Sequence, residues 1–358
     1  MKKIAIIAGD KSGDLYGGLL SRYLKEKYPG VEIFSFGGEN LAQHSQQKIN
    51  LLSHSVTGIF EVLSGLKKIL KIFKTTVEEI EKIKPDLIIP IDFPDFNLRL
   101  LKKLNHKYPV FYYISPQVWA WRKKRIKLIK KYVDKMIVIF KFEQDFYKNE
   151  GIDVLYFGHP LLEIIEKKDV KCETLISLMP GSRKNEIKKH LPPMQGAKKI
   201  IAEKLNYKFQ IIRPANIPES FYEKFSVDIP VVEYCTEELQ RSEFIITASG
   251  TATIKIAILR IPYLIVCKLN LLTWKIVKKL VNIKFAGMVN ILSNRKIIEE
   301  LLQNDVTAEN IAKYTLSVLE DRQAYQKIES DLSGVAALLG PGGGSKKFAD
   351  FIGNYLDL

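Results

Sequence analysis

The sequence predicts an α/β protein with two domains of similar build, each containing a parallel sheet. Its 358 residues exceed the roughly 150 of an ordinary domain and suggest two. Short β-branched runs alternate with longer amphipathic segments, which is the pattern of repeated βαβ units. The pattern restarts after residue 165, so the second half of the chain repeats the first.

Ten short apolar runs are predicted to be buried parallel strands. A helix is predicted after the first of them, because Leu15, Leu19, Tyr23 and their apolar neighbours fall on one helical face. The predicted strands are residues 4–8, 31–36, 86–91, 110–114, 135–140, 174–179, 209–213, 231–234, 244–248 and 263–267.

The charged segment 163–173 has little apolar periodicity and is the predicted hinge between the two halves. Open parallel sheets bind ligands beyond the carboxyl ends of their strands, so we expect two facing domains to enclose one cleft. The chemistry of the protein is therefore expected in strand-to-helix loops.

Composition excludes several classes of protein. With 46% hydrophobic and 27% charged residues, the chain is not disordered, collagen-like or a coiled coil. Its three scattered cysteines form no CxxC pair, which argues against disulfides or structural zinc and fits a reducing cytoplasm. No signal peptide or membrane-spanning helix is expected. The net charge of +15 suggests an anionic partner, which is nucleic acid, anionic lipid or a phosphorylated substrate, unless it reflects only a Lys-rich proteome.

The first strand-to-helix loop, residues 9–14, has two glycines that allow tight turns before a helix. Amides at that helix start can meet an anion or a hydroxyl-rich ligand, although a plain turn capped by Ser12 or Asp14 has the same pattern. The spacing is not GxGxxG, and no GxxxxGK[ST] motif occurs in the chain. A nicotinamide enzyme or a P-loop ATPase is therefore disfavoured.

Two carboxylates follow a buried strand in the segment Ile-Asp-Phe-Pro-Asp-Phe-Asn, residues 91–97. Such a carboxylate can act as a general base, since partial burial raises its pKa toward the working pH. Alternatively, Asp92 or Asp95 caps the next helix or holds the turn at Pro94, and one of the two is expected to do only that.

Two loops of the second half are predicted to bind phosphate. Residues 179–183 place Arg183 after a strand, and an arginine fork can bind two phosphate oxygens at once. Residues 248–253, Ala-Ser-Gly-Thr-Ala-Thr, put hydroxyls at a helix start, where amides favour negative charge. Together the two loops predict a diphosphate-binding site.

Aromatic residues run directly into a basic segment. Residues 115–121 are Ser-Pro-Gln-Val-Trp-Ala-Trp, and seven of the ten residues 122–131 are basic. Three interpretations stay open: a solvated helix face, a surface for single-stranded nucleic acid, and a pocket for a phosphorylated, lipidic acceptor.

The segment 59–74 has apolar residues at helical spacing with lysines along one flank. Such a helix can lie in a membrane interface, although an ordinary core-facing helix has the same pattern. The candidate interface residues are Val62, Leu63, Leu66, Lys67, Lys68, Leu70, Lys71 and Phe73.

The histidines have no metal-ligand spacing, and no metal site is predicted. His159 lies in Gly-His-Pro beside the predicted hinge, where an orienting or substrate-binding role is one interpretation.

Taken in order, the segments 8–14, 91–97, 115–122, 180–183 and 248–253 resemble the bacterial lipid-A-disaccharide synthases. The match spans most of the chain, and Met-Val-Asn-Ile-Leu at 288–292 extends it into the last third. The resemblance implies the GT-B fold, with two Rossmann-like domains facing across a cleft. It also implies an inverting, metal-independent transfer without a cofactor, from UDP-2,3-diacylglucosamine to 2,3-diacylglucosamine 1-phosphate.

Roles for single residues are implied by the same resemblance. Asp95 is the expected general base, with Asp92 as the second choice, and Arg183 is expected to stabilise the departing diphosphate. The expected donor-binding residues are Gly181, Ser182, Arg183, Ser249, Gly250, Thr251, Ala252, Thr253 and Asn290. The expected acceptor-binding residues are Asp10, Ser12, Gly13, Asp14, Gln117, Trp119, Trp121 and Arg122.

The resemblance further implies a cytoplasmic enzyme attached peripherally to the inner face of the cytoplasmic membrane, an anionic surface, because both substrates carry acyl chains. Residues 1–165 are then the acceptor and membrane domain and 166–339 the UDP-sugar domain. The end of the chain, 340–358, is expected to form a helix that packs back on the first domain.

Two positions depart from the family pattern. Asp10 stands where the family usually has Glu, and Lys255 stands where an acidic residue suited to a nucleotide ribose is usual. A lysine accepts no hydrogen bond. Either other groups bind the ribose, or the affinity for the nucleotide or the identity of the nucleotide differs. One alternative is a UDP-sugar epimerase of the same fold. The other is a basic nucleic-acid-binding protein, but that function gives no role to Asp92, Asp95 and Arg183.

Overall fold

The structure is a computed structural model that describes residues 1–54, 62–166, 168–170, 172–225, 228–270, 274 and 284–358, without the side chains of residues 54 and 62–66. The chain divides into two compact units. One comprises Met1–Glu163 together with Leu339–Leu358, and the other comprises Ile164–Leu338. Each unit has one parallel sheet with packed helices, which confirms the predicted α/β class.

The sheet of the first unit has seven parallel strands in the order β3-β2-β1-β4-β5-β6-β7. Its central strands are apolar and buried, as expected of strands covered on both faces. The strands are β1 (Lys3–Ala8), β2 (Glu32–Gly37), β3 (Gln46–Asn50), β4 (Leu87–Ile91), β5 (Phe111–Tyr113), β6 (Lys135–Val138) and β7 (Val154–Tyr156). The helices are α1 (Lys11–Lys27), α2 (Glu39–Ala42), α3 (Val62–Ile83), α4 (Pro94–Leu104), α5 (Ile126–Tyr132), α6 (Phe142–Asn149) and α7 (Leu161–Ile164).

The second unit has six parallel strands in the order β10-β9-β8-β11-β12-β13. They are β8 (Glu173–Met179), β9 (Lys208–Arg213), β10 (Val231–Glu233), β11 (Ser242–Ala248), β12 (Tyr263–Cys267) and β13 (Glu300–Leu302). The described helices are α8 (Lys184–Ala202), α9 (Ser220–Glu223), α10 (Thr236–Gln240), α11 (Ala252–Ile258), α12 (Met288–Ser293), α13 (Ala308–Leu319) and α14 (Arg322–Leu338). Its hydrophobic core joins β8, β11 and β12 to α8 and α13.

The last helix, α15 (Gly344–Leu356), belongs to the first unit. It packs beside α1, and its aromatic side chains cover β5, where the rings of Phe111 and Tyr355 lie 4.7 Å apart. The backbone N–H of Ser345, at the start of the helix, donates to the Glu163 carboxylate at 2.8 Å. The first unit is therefore assembled from the two ends of the chain.

All ten predicted strands are present within two residues of their predicted bounds. The three strands that were not predicted, β3, β7 and β13, are all edge strands. An edge strand has only partly buried side chains, as in β3, whose residues are Gln-Gln-Lys-Ile-Asn, and so lacks an apolar pattern.

Candidate active site

The strand order of each unit places the predicted motifs together. In the first unit the order reverses between β1 and β4, and in the second it reverses between β8 and β11. Ligands of open α/β sheets bind at such switch points, beyond the carboxyl ends of the strands. The loops at 9–14 and 92–97 follow β1 and β4, and the loops at 180–183 and 249–253 follow β8 and β11. Four of the five sequence motifs therefore meet in pairs, one pair in each unit.

The two loops of the first unit are in direct contact. A methyl group on Gly9 would lie 2.0 Å from the Phe93 ring, so only glycine fits against that ring. Asp10 caps α1, and its Oδ1 accepts the backbone N–H of Gly13 at 2.7 Å. Burial, despite that hydrogen bond, raises the pKa of Asp10. Ser12 lies half-buried beside it.

Asp92 begins a left-handed turn at the end of β4, with φ of 39°, and Phe93 continues it with φ of 46°. Such backbone is strained for residues other than glycine and is held by its surroundings. The Asp92 N–H donates to the Tyr113 carbonyl at 3.0 Å. Its own carbonyl accepts from the Tyr112 hydroxyl at 2.6 Å and from Asn97 Nδ2 at 2.8 Å. These bonds fix the direction in which the Asp92 carboxyl leaves the sheet.

The Asp92 carboxyl titrates near neutral pH. Burial, followed by the charges of Asp10 and Glu143, raises its pKa to about 7, while Arg125 opposes the shift. A carboxylate that titrates near the working pH suits proton abstraction.

Asp95 has a different environment in the first turn of α4. Its exposed carboxylate pairs with Arg122 at 2.7 Å and with Arg125 at 2.5 Å. Partial burial raises its pKa, but the two ion pairs outweigh burial and hold the pKa below the ordinary value. A paired carboxylate of low pKa is a weak base, so the structure favours Asp92 over the sequence's first choice.

The segment 115–122 follows β5 and has an exposed and a buried part. Gln117 and Arg122 are exposed, Trp119 is half-buried, and Ser115 is buried. Trp121 is exposed and lies beneath the Arg122 guanidinium, 4.3 Å from the ring centre, which is a cation–π contact. The exposed part presents aromatic rings beside positive charge.

Glu143, which no sequence motif indicates, lies beneath this segment. Its buried carboxylate accepts from the Ser115 hydroxyl at 2.6 Å and from Trp119 Nε1 at 3.3 Å. Burial raises the pKa of Glu143 to about 7. No motif surrounds it in the chain, and its partners lie 24 and 28 residues away.

Asp14 requires a correction as an acceptor-binding residue. It is only 1% exposed, and its carboxylate accepts the backbone N–H groups of Gly38, Asn40 and Leu41 at 2.6 to 3.3 Å. The Asn40 side-chain amide donates to it as well. These bonds occupy the acceptor positions of the carboxylate. Asp14 therefore holds the start of α2 and does not face a ligand. Gly13 is buried behind the loop and contributes its N–H to Asp10.

In the second unit, the loop after β8 is organised by Glu186. Gly181 has φ of +132°, and a methyl group there would lie 2.6 Å from the Glu186 side chain. The Glu186 carboxylate accepts the N–H groups of Ser182 and Arg183 at 3.0 and 3.3 Å. Arg183 is exposed, and its guanidinium donates to Glu186 at 3.1 Å. Glu186 therefore fixes the backbone of the loop, from which Arg183 extends into solvent.

The loop after β11 exposes Ser249, Gly250 and Thr251, and space around Gly250 is open. Ala252 is half-buried, whereas Thr253 is fully buried and its hydroxyl donates to the Gly250 carbonyl at 2.8 Å. The prediction of Thr253 as a ligand group is therefore corrected, because its hydroxyl holds the turn.

Asn290 also needs correction as a direct donor ligand. It is fully buried, and its Nδ2 donates to the Ile298 carbonyl at 2.8 Å and to the Glu300 carboxylate at 2.7 Å. Glu300 in turn accepts the N–H groups of Ala286 and Gly287 at 2.7 and 2.9 Å. The Ser249 hydroxyl contacts the same segment through the Ala286 carbonyl at 3.2 Å. Asn290 therefore acts on the loop after β11 through Glu300 and segment 286–287.

Lys255 lies half-buried one turn into α11, with its ammonium 4.8 Å from the centre of the Tyr234 ring. Burial lowers the pKa of Lys255. Tyr234 follows β10 and Lys255 follows β11, so this contact spans the carboxyl edge of the sheet.

His159 is a packed residue of the first unit. Its Nδ1 accepts the Leu161 N–H at 3.1 Å, and its ring contacts Phe140 and Tyr16. Burial lowers its pKa to about 3, so the imidazole is neutral. Among the residues that the structure describes, no three His, Cys, Asp or Glu side chains are grouped as metal ligands.

The candidate membrane helix α3 is exposed over residues 67–71 and packed in its second half. Lys67, Lys68, Leu70 and Lys71 are exposed, Leu70 by 60%. Phe73 instead packs on Phe96 at 5.5 Å between ring centres, so its assignment to the interface is corrected. The side chains of Val62, Leu63 and Leu66 lie outside the described residues. None of the described helices has the length and apolarity to cross a bilayer.

The fold and the four loops define a class: a two-domain enzyme of the GT-B fold, with Rossmann-like strand order in both units. A solved complex of S. aureus MnaA with UDP has a TM-score of 0.70 at 14% identity, covering 100% of this chain and 98% of that one. The UDP-GlcNAc 2-epimerase of Neisseria meningitidis, bound to UDP-GlcNAc, gives 0.68 at 12% identity over 98% and 99%. Identities this low show a shared fold.

Sequence comparison identifies the family. A family model described as lipid-A-disaccharide synthetase matches residues 4–339. The lipid-A-disaccharide synthase of Syntrophus aciditrophicus is 33% identical over 97% of this chain and 96% of its own. Lipid-A-disaccharide synthase 1 of Legionella pneumophila (strain Lens) is 35% identical over 87% and 86%. The chain belongs to the lipid-A-disaccharide synthetase family and is a glycosyltransferase.

Proposed function

We propose that the enzyme transfers 2,3-diacylglucosamine from its UDP donor to the 6-hydroxyl of 2,3-diacylglucosamine 1-phosphate. Family membership supports this pair of substrates. The 6-oxygen attacks the anomeric carbon of the donor on the face opposite the diphosphate, so the configuration inverts. The C–O bond to the diphosphate breaks, UDP leaves with the electron pair, and the hydroxyl proton passes to a base.

We assign that base to Asp92. The observation that carries the assignment is its position at the switch point of the first sheet together with a pKa of about 7. Near neutral pH a large fraction of Asp92 is ionised, and it is a stronger base than an ordinary aspartate. The role of Asp95 is to hold Arg122 and Arg125 beside Trp121 through its two ion pairs.

The departing diphosphate is stabilised by the exposed loops of the second unit. Arg183 supplies a guanidinium, and Ser249, Gly250 and Thr251 supply hydroxyl and backbone donors. Charge grows on the diphosphate as the sugar leaves, so fixed donors there stabilise the transition state more than the ground state. Gly181 and Ser182 shape the loop that carries Arg183.

The acceptor is bound by the first unit. Arg122 lies beside Trp121 and next to Arg125, so the exposed residues of segment 117–125 offer positive charge for the acceptor 1-phosphate and rings for its sugar. Asp10 and Ser12, in the loop that contacts Phe93, lie at the same switch point as Asp92.

We further propose peripheral attachment to the inner face of the cytoplasmic membrane through α3. Its first half exposes Leu70 and three lysines. An apolar contact combined with lysines near anionic headgroups gives the two weak attachments that stable peripheral binding needs.

The test is a mixed-micelle assay with both acyl substrates in EDTA, comparing wild type with Arg183→Ala. We expect wild type to form disaccharide 1-phosphate and UDP, and Arg183→Ala to lose about 10²-fold in kcat, as for removal of one transition-state donor. Arg295→Ala is the matched control, because Arg295 is also exposed and ion-paired but lies on Asp331. Folded wild type that yields no disaccharide, or equal losses in both variants, contradicts the proposal.

A further inference from the structure

Glu143 is a buried acid that has no role in the transfer reaction proposed above. It lies in the first turn of α6 and is 1% exposed. Its carboxylate accepts four hydrogen bonds. Ser115 and Trp119 donate from the acceptor segment, and the backbone N–H groups of Ile139 and Phe140 donate at 3.3 and 3.1 Å. One carboxylate thus joins the loop after β5 to the loop after β6.

The same helix makes a second bond to the acceptor segment. The Tyr147 hydroxyl, one turn further along α6, donates to the Pro116 carbonyl at 3.2 Å. The Trp119 ring also packs edge-on against Phe142, at 5.1 Å between ring centres. The position and tilt of Trp119 are therefore set by α6.

A buried carboxylate is costly to the folded state when it is ionised. All four partners of Glu143 are donors, so a glutamine of the same shape would turn its amide NH2 toward two of them. A carboxylate accepts all four bonds, which a glutamine cannot do. Glu143 is close enough to Asp92 for its charge to raise the Asp92 pKa, together with that of Asp10. Arg125 is the cation that opposes them, and Tyr112 and Tyr147 are the other titratable groups facing these acids.

We propose that Glu143 is a positioning residue for the transfer: its carboxylate fixes Ser115 and Trp119 against the acceptor. The proposal rests on the proposed function. It requires both the reach of the side chain and two acceptor oxygens, because each oxygen takes two of the four donors.

Two substitutions test the two requirements. Glu143→Asp keeps both oxygens but is one methylene shorter, so we expect the KM for the acceptor to rise about tenfold, the effect of one lost hydrogen bond to a charged group. Glu143→Gln keeps the reach but turns an amide NH2 toward two donors, so it should also raise the acceptor KM while leaving the donor KM unchanged.

Ser115→Ala and Trp119→Phe keep Glu143 intact and cover the case in which Glu143→Gln does not fold. Each should raise the acceptor KM more than the donor KM. The proposal is overturned if folded Glu143→Asp and Glu143→Gln lose kcat at an unchanged acceptor KM. It is also overturned if Ser115→Ala and Trp119→Phe leave the acceptor KM unchanged.

A spectroscopic comparison tests the contact without the reaction. In a chain carrying Trp121→Phe and Trp274→Phe, Trp119 is the remaining tryptophan. Its fluorescence should differ between the chain with Glu143 and the chain carrying Glu143→Gln, because the carboxylate accepts from the indole N–H. If wild type makes no disaccharide, the proposed function fails, whereas identical Trp119 emission with and without Glu143 counts against the positioning role itself.

Discussion

Replacing Asp92 with asparagine should abolish most of the activity while stabilising the fold. Burial and the neighbouring acids Asp10 and Glu143 raise the Asp92 pKa from 3.8 to about 7. One pH unit above that value the carboxyl is about nine-tenths ionised and available as a base. General base catalysis contributes about 10²- to 10⁴-fold. The kcat of Asp92→Asn, measured at pH 8 in mixed micelles, should fall by that factor.

The gain in stability follows from the same pKa. A rise from 3.8 to about 7 is roughly three units, and at 1.36 kcal/mol per unit the ionised carboxyl disfavours folding by about 4 kcal/mol. This penalty is absent below pH 3.8, grows as the pH rises, and is complete above about pH 7. Urea unfolding should therefore show Asp92→Asn more stable than wild type by up to about 4 kcal/mol at pH 8 and nearly equal to it at pH 4.

Asp95→Asn is the matched control, since it removes a carboxylate three residues away in the first turn of α4. It breaks the ion pairs with Arg122 and Arg125, and because the Asp95 side chain is exposed, their loss costs about 1 kcal/mol or less. Its kcat should stay within about tenfold of wild type. The reasoning is refuted if Asp95→Asn is the inactive variant, or if Asp92→Asn loses stability at pH 8.

Three further predictions concern the loops and the membrane. Gly9→Ala places a methyl group 2.0 Å from the Phe93 ring, so it should lower the thermal midpoint and kcat together, whereas Gly30→Ala, in open space, should change neither. Asn290→Ala breaks a buried network, so it should lower the free energy of unfolding in urea by about 3 kcal/mol. It should also raise the donor KM more than the acceptor KM. Equal effects on both KM values contradict an action of Asn290 through segment 286–287. Leu70→Ser combined with Lys71→Ser should reduce sedimentation with anionic vesicles at least several-fold, while Lys313→Ser, on another unit, should not.

The central part of the fold could be predicted because buried parallel strands are almost wholly apolar. Strands such as β4, which reads Leu-Ile-Ile-Pro-Ile, are covered on both faces and contain no polar residue. The edge strand β3 has mostly exposed, polar side chains, and its pairing with β2 is a property of the assembled sheet. No local pattern in a single sequence predicts such a strand.

The loops of the site were predictable, but the direction of individual side chains was not. Asp92 and Asp95 lie in one motif, and their ranking depends on Arg122 and Arg125, about 30 residues away in the chain. Asp14, Thr253 and Asn290 occupy motif positions yet turn inward to backbone partners. Polar residues at switch points either face the ligand or hold the loop that does so, and the sequence does not distinguish these two roles.

Because the first unit ends with α15, the order of synthesis matters to its folding. When residue 338 leaves the ribosome, the second unit has all of its chain, but the first still lacks the helix that covers Phe111 and packs beside α1. The β5 aromatic surface of the nascent first unit stays uncovered until residues 339–358 are released. A premature stop near residue 340 would therefore leave the second unit able to fold and make the first a substrate for proteolysis.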